Sequence, residues 1–197
     1  MSSFTPCVVL DLETTGFLLK QPAPDGWNAR VIEVGAVVVT SDLNIVSPIS
    51  PLVRQPADHL YHPRSRRAAR VHRIPPAAIL MAPHDAEEAA ERLAAWLTAV
   101  RERFGARELR GWGQAFDFRF LSAEPWSIFE RTGFSKGEDV QRVFKRAVGK
   151  RSGGLGGAVA ARGLRNPSAH RALADARATA EVLIACQQMG AAAEIRR

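Results

Sequence analysis

The segment VVLDLETTGF, residues 8–17, places two carboxylates at the end of an apolar run. The β-branched and apolar residues at positions 7–12 predict a buried strand. Side chains two residues apart on a strand point to the same face, so Asp11 and Glu13 can share one cation. The alternative is structural, because acids also mark the solvated end of a strand. The rest of the sequence decides between these two interpretations.

Two more strands follow the first, and helices dominate the remainder of the chain. Residues 30–40 form a second apolar run, and residues 44–55 form a weaker third whose prolines are typical of an edge strand. Residues 85–103 have the stripe of an amphipathic helix, and residues 107–113 fit a short strand. This order predicts an α/β fold in which helices pack on a mixed sheet. A chain of 197 residues fits a single domain, with a core over about residues 6–189.

The C-terminal part of the chain is predicted to be mostly helical. A helix after residue 115 is interrupted near Pro125, and a turn is expected at residues 134–140. A short basic helix follows over residues 140–150. The glycine-rich residues 151–157 lack the spacing of a phosphate-binding loop and are predicted to form a flexible connector. The last helix covers residues 170–189, and its inner stripe consists of Leu173, Ala176, Ala180 and Leu183.

Composition favours a polyanionic partner such as nucleic acid. The chain has 27 basic and 20 acidic residues, a formal charge of +7 and a pI near 10.4. Cys7 and Cys186 show neither metal-ligand spacing nor a disulfide pattern, which favours a reducing, cytoplasmic setting. The apolar runs are too short for a membrane span or a signal core, so we expect no membrane association.

Five arginines lie within ten residues of one another. Two interpretations remain open for this run: a solvated helix face or loop, and a surface that follows a phosphate backbone. A third interpretation is that, in a dimer, the run contributes to the active site of the neighbouring subunit. The five residues are Arg64, Arg66, Arg67, Arg70 and Arg73.

Two further acids and one histidine occur in unusual surroundings. Asp117 follows a predicted strand in an aromatic, apolar segment where an unpaired carboxylate is costly. Asp175 lies among alanines on a helix that otherwise packs. His170 precedes it by five residues, an offset of about 140° on a helix, so we expect His170 at or before the helix start. Carboxylates on separate elements are typical of a hard-cation site, and the histidine suits a general base near neutral pH.

Three motifs, DLETTG, FDFRFL and HRALADA, resemble those of the DEDDh-type 3'-5' exonucleases. This family includes the proofreading exonuclease subunit of bacterial DNA polymerase III, ribonuclease T and oligoribonuclease. The resemblance extends from about residue 7 to about residue 188. It implies a ribonuclease H-like fold with a mixed five-stranded sheet flanked by helices. The histidine separates this group from relatives that use tyrosine.

The resemblance also implies a reaction and a set of ligands. The expected activity is hydrolysis of the terminal phosphodiester of single-stranded DNA or RNA with release of nucleoside 5'-monophosphates. Two Mg²⁺ or Mn²⁺ ions are expected, with Asp11 bridging both. Glu13 and Asp175 complete the site of the ion that holds the attacking water, and Asp117 helps to hold the other. His170 takes the proton from the water.

Substrate contacts are less clearly defined by the motifs. The resemblance places the terminal nucleotide against the segment that follows the first two acids, where an aromatic side chain can stack on the last base. The family commonly has His-Asn-Ala before its Phe-Asp pair, whereas this chain has Trp-Gly-Gln, so the glutamine is the candidate replacement for an asparagine contact. The predicted substrate-binding residues are Thr14, Thr15, Gly16, Phe17 and Gln114.

Partners and an alternative function remain open at this stage. Single-stranded 3' ends are the expected ligand, and a DNA polymerase or a second copy of the chain are candidate protein partners. The alternative function is a non-catalytic nucleic-acid-binding or polymerase-binding module that retains the exonuclease fold. Four clustered acids argue against it, since they repel phosphate unless cations are present.

Overall fold

The computed structural model describes residues 4–149 and 153–195, the last five by their backbone alone. Three strands open the chain, and short helices lead from the third strand into the long helix α4. The elements are β1 (Cys7–Thr14), β2 (Val31–Val39), β3 (Ile45–Ile49), α1 (Ala57–Leu60), a 3-10 turn (Pro63–Ser65), α2 (Arg66–His72), α3 (Pro76–Leu80), α4 (Ala86–Phe104), β4 (Glu108–Arg110), α5 (Ala115–Leu121), α6 (Ile128–Thr132), β5 (Ser135–Lys136), α7 (Val140–Val148), α8 (Leu155–Ala161) and α9 (Ala172–Ile195).

The five strands form one mixed sheet in the order β3-β2-β1-β4-β5. β1 lies at its centre, antiparallel to β2 and parallel to β4. β3 is an edge strand, as its prolines predict. The predicted mixed α/β fold is therefore confirmed, and β1 is flanked on both sides.

Alternation along β1 divides its side chains between two cores. Val8 and Leu10 pack in the core that includes α4, whereas Cys7 and Val9 pack in the core that includes α7, α8 and α9. Because strand side chains alternate between faces, Asp11 and Glu13 continue the row of Cys7 and Val9. Both acids therefore face the layer that contains α9.

Helix α4 begins and ends as its sequence indicates. Asp85 accepts a hydrogen bond from the amide of Glu88, and the Glu88 side chain accepts one from the amide of Asp85, which forms a capping box. Gly105 ends the helix in the left-handed conformation. The predicted range, residues 85–103, differs from the observed helix by one residue at each end.

The structure corrects two of the predicted elements. Residues 135 and 136, which lie in the predicted turn, form the short strand β5 and pair with β4 through backbone groups. Part of the predicted glycine-rich connector is helical, because α8 begins at Leu155 and includes Gly156. The first part of that connector, residues 151–152, lies outside the described residues. Among the described residues, no helix is both long enough and apolar enough to cross a bilayer.

Candidate active site

Asp11 and Glu13 lie side by side in an environment that opposes their ionisation. Burial, followed by repulsion from Asp117, Asp175 and Glu13, raises the pKa of Asp11 well above its usual range. Burial, followed by repulsion from Asp175, raises the pKa of Glu13 to about 8. A carboxylate is ionised at neutral pH in such a place only when positive charge is nearby.

The start of α9 brings the third acid to the first two. Asp175 lies in the first turn of α9 and accepts hydrogen bonds from the Asn166 side chain and from the backbone amide of His170, the latter at 3.1 Å. Burial raises the pKa of Asp175, and these two hydrogen bonds oppose the rise. The carboxylate is thus oriented by its own helix start and points toward β1.

His170 lies two residues before α9, as the sequence predicts. Its backbone has φ of +66°, which is uncommon for a residue with a side chain, and its ring is exposed. The potential donor atoms of Glu13, His170 and Asp175 all lie within 4.8 Å of one another. The turn before α9 therefore directs the imidazole to the acids rather than away from them.

Asp117 belongs to an element that packs in the core of α4, whereas Asp175 belongs to α9 in the other core. Asp117 lies in the first turn of the short helix α5 and is 4% exposed. Burial raises its pKa to about 7, against the effect of backbone hydrogen bonds that involve Leu12 and its own amide. The structure thus brings together all five of the predicted catalytic residues: Asp11, Glu13, Asp117, His170 and Asp175.

The donor set suits divalent cations with a preference for oxygen ligands. Four carboxylates converge from three elements, and their mutual repulsion is relieved by bound positive charge. Mg²⁺ and Mn²⁺ are typically held by such carboxylates together with water, whereas structural zinc sites use cysteine and histidine. Cys7 and Cys186 are buried, free thiols in the cores. The residues therefore fit the ions that the sequence predicts.

Two side chains that hold α9 in place were not singled out from the sequence. Glu33 on β2 is 1% exposed, and its carboxylate accepts hydrogen bonds from the Arg171 guanidinium, the shortest at 2.6 Å, and from the Ala172 amide at 2.9 Å. A buried carboxylate at a helix start is stabilised by the free amides there. The acid in the middle of the apolar run VIEVGAV was the available signal, because such a residue requires a partner.

Gly35 allows the same helix to approach the sheet. It pairs with Asp11 across the β1–β2 ladder, and a Cβ built on it would lie 2.0 Å from the carbonyl carbon of Ala172. A glycine inside an otherwise β-branched strand indicates such a close approach. The backbone of α9 therefore rests directly on β2, beside the acids.

A cleft of about 460 Å³ opens from Glu13 and Thr14. Phe17, at 71% exposed, forms one wall and meets Phe116 edge to face, with ring centroids 5.5 Å apart. An exposed aromatic side chain beside a polar site is available for stacking on a base. Phe118 and Phe120 of the same helix are buried in the core. The cleft is completed by the residues Leu12, Gly16, Leu19, Trp27, Arg64, Arg67, Ala68 and Val71.

The remaining predicted substrate contacts occupy different environments. Thr14 and Gly16 line the cleft, whereas the Thr15 side chain is buried and lies 2.9 Å from His59 Nε2. Gln114 is 8% exposed and uses its amide for the backbone, because Oε1 accepts from Gly111 N–H and Nε2 donates to Gly137 O. Gln114 thus ties the end of β4 to the segment after β5, and its contact with substrate stays a prediction.

Comparison with known proteins identifies the class to which this fold and these acids belong. Residues 8–183 match the RNase_T family model, described as exonuclease, and the chain belongs to this family of 3'-5' exonucleases. The DEDDh assignment predicted from the motifs is confirmed, as is the ribonuclease H-like fold with its five-stranded sheet. No curated protein matches the sequence of the chain.

Solved structures share the fold at low sequence identity. Exonuclease I of E. coli in complex with a dT13 oligonucleotide superposes with a TM-score of 0.64 and 18% identity, over 92% of this chain and 40% of that one. The nuclease domain of 3'hExo, a DEDDh family member bound to rAMP, gives 0.70 and 14%, over 96% and 94% of the two chains. A 3'-exonuclease that recognises the histone mRNA stem-loop gives 0.72 and 13%, over 96% and 84%. The chain spans about two fifths of the length of exonuclease I.

Proposed function

We propose that the protein is a metal-dependent 3'-5' exonuclease that removes nucleotides from single-stranded DNA or RNA. The observation that carries this proposal is the convergence of four carboxylates from β1, α5 and α9 beside a cleft with an exposed aromatic wall. The similarity to structures that contain dT13 or rAMP supports nucleic acid as the ligand. The products are nucleoside 5'-monophosphates.

Asp11, Glu13, Asp117 and Asp175 would hold two divalent cations, Mg²⁺ or Mn²⁺. Such a pair of ions would stabilise the attacking and leaving oxygens of an in-line displacement. The metal ligands lie on rigid elements, because β1 is central in the sheet and α9 is anchored by Glu33. Rigid placement matters because small displacements of catalytic groups are costly.

His170 is the general base in this proposal. Its imidazole is exposed, and one of its nitrogens lies within 4.8 Å of oxygens of Glu13 and Asp175. The imidazole accepts the proton of the attacking water at a ring nitrogen and returns it to solvent. The left-handed turn at His170 keeps the ring next to the acids without placing it inside the helix.

The 3' end of the strand occupies the cleft. Phe17 and Phe116 stack on the terminal base, while Thr14 and Gly16 border the sugar. Unpaired bases are available for stacking, whereas bases inside a duplex are not. We therefore expect single strands to be digested faster than duplex ends.

The alternative is a nucleic-acid-binding module without catalysis. The net charge of +7 is compatible with it. The two functions respond to different treatments, because electrostatic binding weakens with salt and metal-dependent hydrolysis stops when EDTA removes the ions. The convergent acids favour the enzyme, since four carboxylates without cations repel the phosphate that a binding module must attract.

The test is digestion of end-labelled oligonucleotides of DNA and RNA with Mg²⁺ or Mn²⁺. We expect stepwise shortening from the 3' end, release of 5'-monophosphates, and loss of activity on addition of EDTA. Asp11→Asn is the catalytic control, since it removes one of the two carboxylates of β1 with little change in side-chain shape. A folded protein that shortens neither DNA nor RNA from the 3' end would rule out the proposal.

A further inference from the structure

The arginine run is divided by helix α2 into two groups. Arg64, just before the helix, and Arg67 line the cleft together with Ala68 and Val71. These positions recur every three or four residues and therefore share one face of the helical segment. Arg66 and Arg70 are exposed and do not line the cleft. The run is thus not one uniform basic surface, because only two members face the site.

The two arginines of the cleft are held differently. The Arg64 guanidinium lies over the Trp27 ring, 5.9 Å from its centroid, and its Nε is 4.0 Å from Asp25 Oδ2. Arg67 is exposed, and no hydrogen bond or ion pair joins its side chain to the part of the chain that the structure describes. One arginine is therefore oriented in advance, and the other has its donors available to a ligand.

On the proposed function, the position of the cleft relative to the acids determines which part of the substrate Arg64 and Arg67 contact. In 3'-5' hydrolysis the scissile phosphate lies at the acids, and the terminal nucleotide beyond it carries a sugar, a base and a 3' hydroxyl. No further phosphate follows in that direction. A cleft of about 460 Å³ with aromatic and aliphatic walls is in the size range of small-ligand pockets, roughly 300–1,000 Å³. Arg64 and Arg67 therefore face the edge of the terminal base.

A guanidinium group has only donors, so it distinguishes bases by their acceptors. Guanine presents two adjacent acceptors, O6 and N7, which match the two parallel N–H groups of arginine. Adenine presents N7 beside an amino group, which is a donor and opposes arginine at the same edge. We propose that Arg64 and Arg67 make the cleft selective for a 3'-terminal guanine over a 3'-terminal adenine.

The experiment compares single-stranded oligonucleotides that differ only in their last nucleotide. Removal of that nucleotide is followed in single turnovers with Mg²⁺, for guanine, adenine, cytosine and thymine ends. We expect kcat/KM for guanine to exceed that for adenine by about five- to tenfold, near the lower limit for a bidentate contact because Arg67 is exposed.

Two double variants separate base selection from general attraction. Arg64→Ala with Arg67→Ala removes two positive charges from the cleft and should reduce the guanine-to-adenine ratio to about one. Arg66→Ala with Arg70→Ala removes the same charge from the same segment and should preserve the ratio. Arg67→Gln should shift the ratio toward adenine, because glutamine pairs with the N6 and N7 groups of adenine.

Binding of free 5'-GMP and 5'-AMP, measured by calorimetry with Mg²⁺, keeps this inference separate from the proposed function. Tighter binding of GMP that depends on Arg64 and Arg67 supports the inference even if no oligonucleotide is cleaved. A lack of cleavage would overturn the exonuclease proposal but not this inference. A wild-type ratio within twofold of one overturns the inference. So does a cleft variant that slows all four ends by the same factor, because that pattern means that the arginines contact phosphate or support the fold.

Discussion

Replacement of Gly35 by alanine should separate α9 from the sheet at the point where the acids meet. The new Cβ would lie 2.0 Å from the Ala172 carbonyl carbon, 2.1 Å from the Leu173 nitrogen and 2.3 Å from the Ala172 oxygen. Carbon atoms in contact are about 3.5–4.0 Å apart. These neighbours are backbone atoms of a helix and cannot rotate away, so the start of α9 must retreat by more than about 1 Å.

The displaced segment carries His170 and Asp175, and it carries the Ala172 amide that binds Glu33. A misplacement of about 1 Å can lower a catalytic rate by about 100-fold. Overpacking of this kind also typically costs about 1–3 kcal/mol of stability. We therefore expect Gly35→Ala to fold, with a lower melting temperature, and to lose about 100-fold in kcat.

The assay combines thermal unfolding with exonuclease rates at saturating Mg²⁺. Gly190→Ala is the matched control, because Gly190 lies on the same helix with no atom within 4 Å of a built Cβ. Alanine there should stabilise the helix by up to about 1 kcal/mol and leave the rate unchanged. Wild-type rate and stability in Gly35→Ala would refute the claim that close approach of α9 positions the site.

Three other changes test the roles of individual groups. His170→Ala should lower kcat by about 10²- to 10⁴-fold, the usual contribution of a general base. A calorimetric Mg²⁺ titration of this variant should stay close to wild type. A rate within threefold of wild type contradicts the role of His170 as general base. Arg171→Met leaves the buried Glu33 carboxylate with the Ala172 amide but without its cation, at a cost of up to about 3 kcal/mol. Chemical denaturation should therefore show Arg171→Met to be less stable than Glu33→Gln, and the reverse order contradicts the pairing. In the metal-free protein, the raised pKa of Glu13, about 8, means that the folded state binds more protons than the unfolded state above about pH 4.5. Stability should therefore fall as pH rises toward 8, and Mg²⁺ should raise the melting temperature more at pH 8 than at pH 6; equal shifts at both values contradict this.

The sequence predicted the core of the site because strand geometry is simple. Alternation places Asp11 and Glu13 on one face wherever the strand goes. The five-residue offset between His170 and Asp175 predicted that the histidine lies at or before the start of the last helix, and α9 begins at Ala172. These predictions depend on local geometry, which neighbouring residues determine.

Contacts between distant segments were not predictable in the same way. The pairing of Glu33 with Arg171 joins residues 138 positions apart, and the sequence does not specify which cation reaches a buried acid. Strand β5 was missed because it has only two residues, both exposed, and is defined by its backbone pairing with β4. Arg73 ends α2 in the left-handed conformation, with φ of +55°, which is uncommon for a residue with a side chain.

The electrostatics of the site explain why its supports are rigid. Burial raises the pKa of all four site carboxylates, and repulsion from the neighbouring acids raises those of Asp11 and Glu13 further, so ionisation without cations pushes the surrounding elements apart. Glu33 adds a fifth negative charge nearby, yet its carboxylate is bound by Arg171, which also lowers the pKa of Glu13. The ion pair therefore anchors α9 without adding a free carboxylate to the cluster. Since bound cations remove the repulsion and the ligands must lose their protons to bind them, metal affinity should rise with pH until the last of the four acids is ionised.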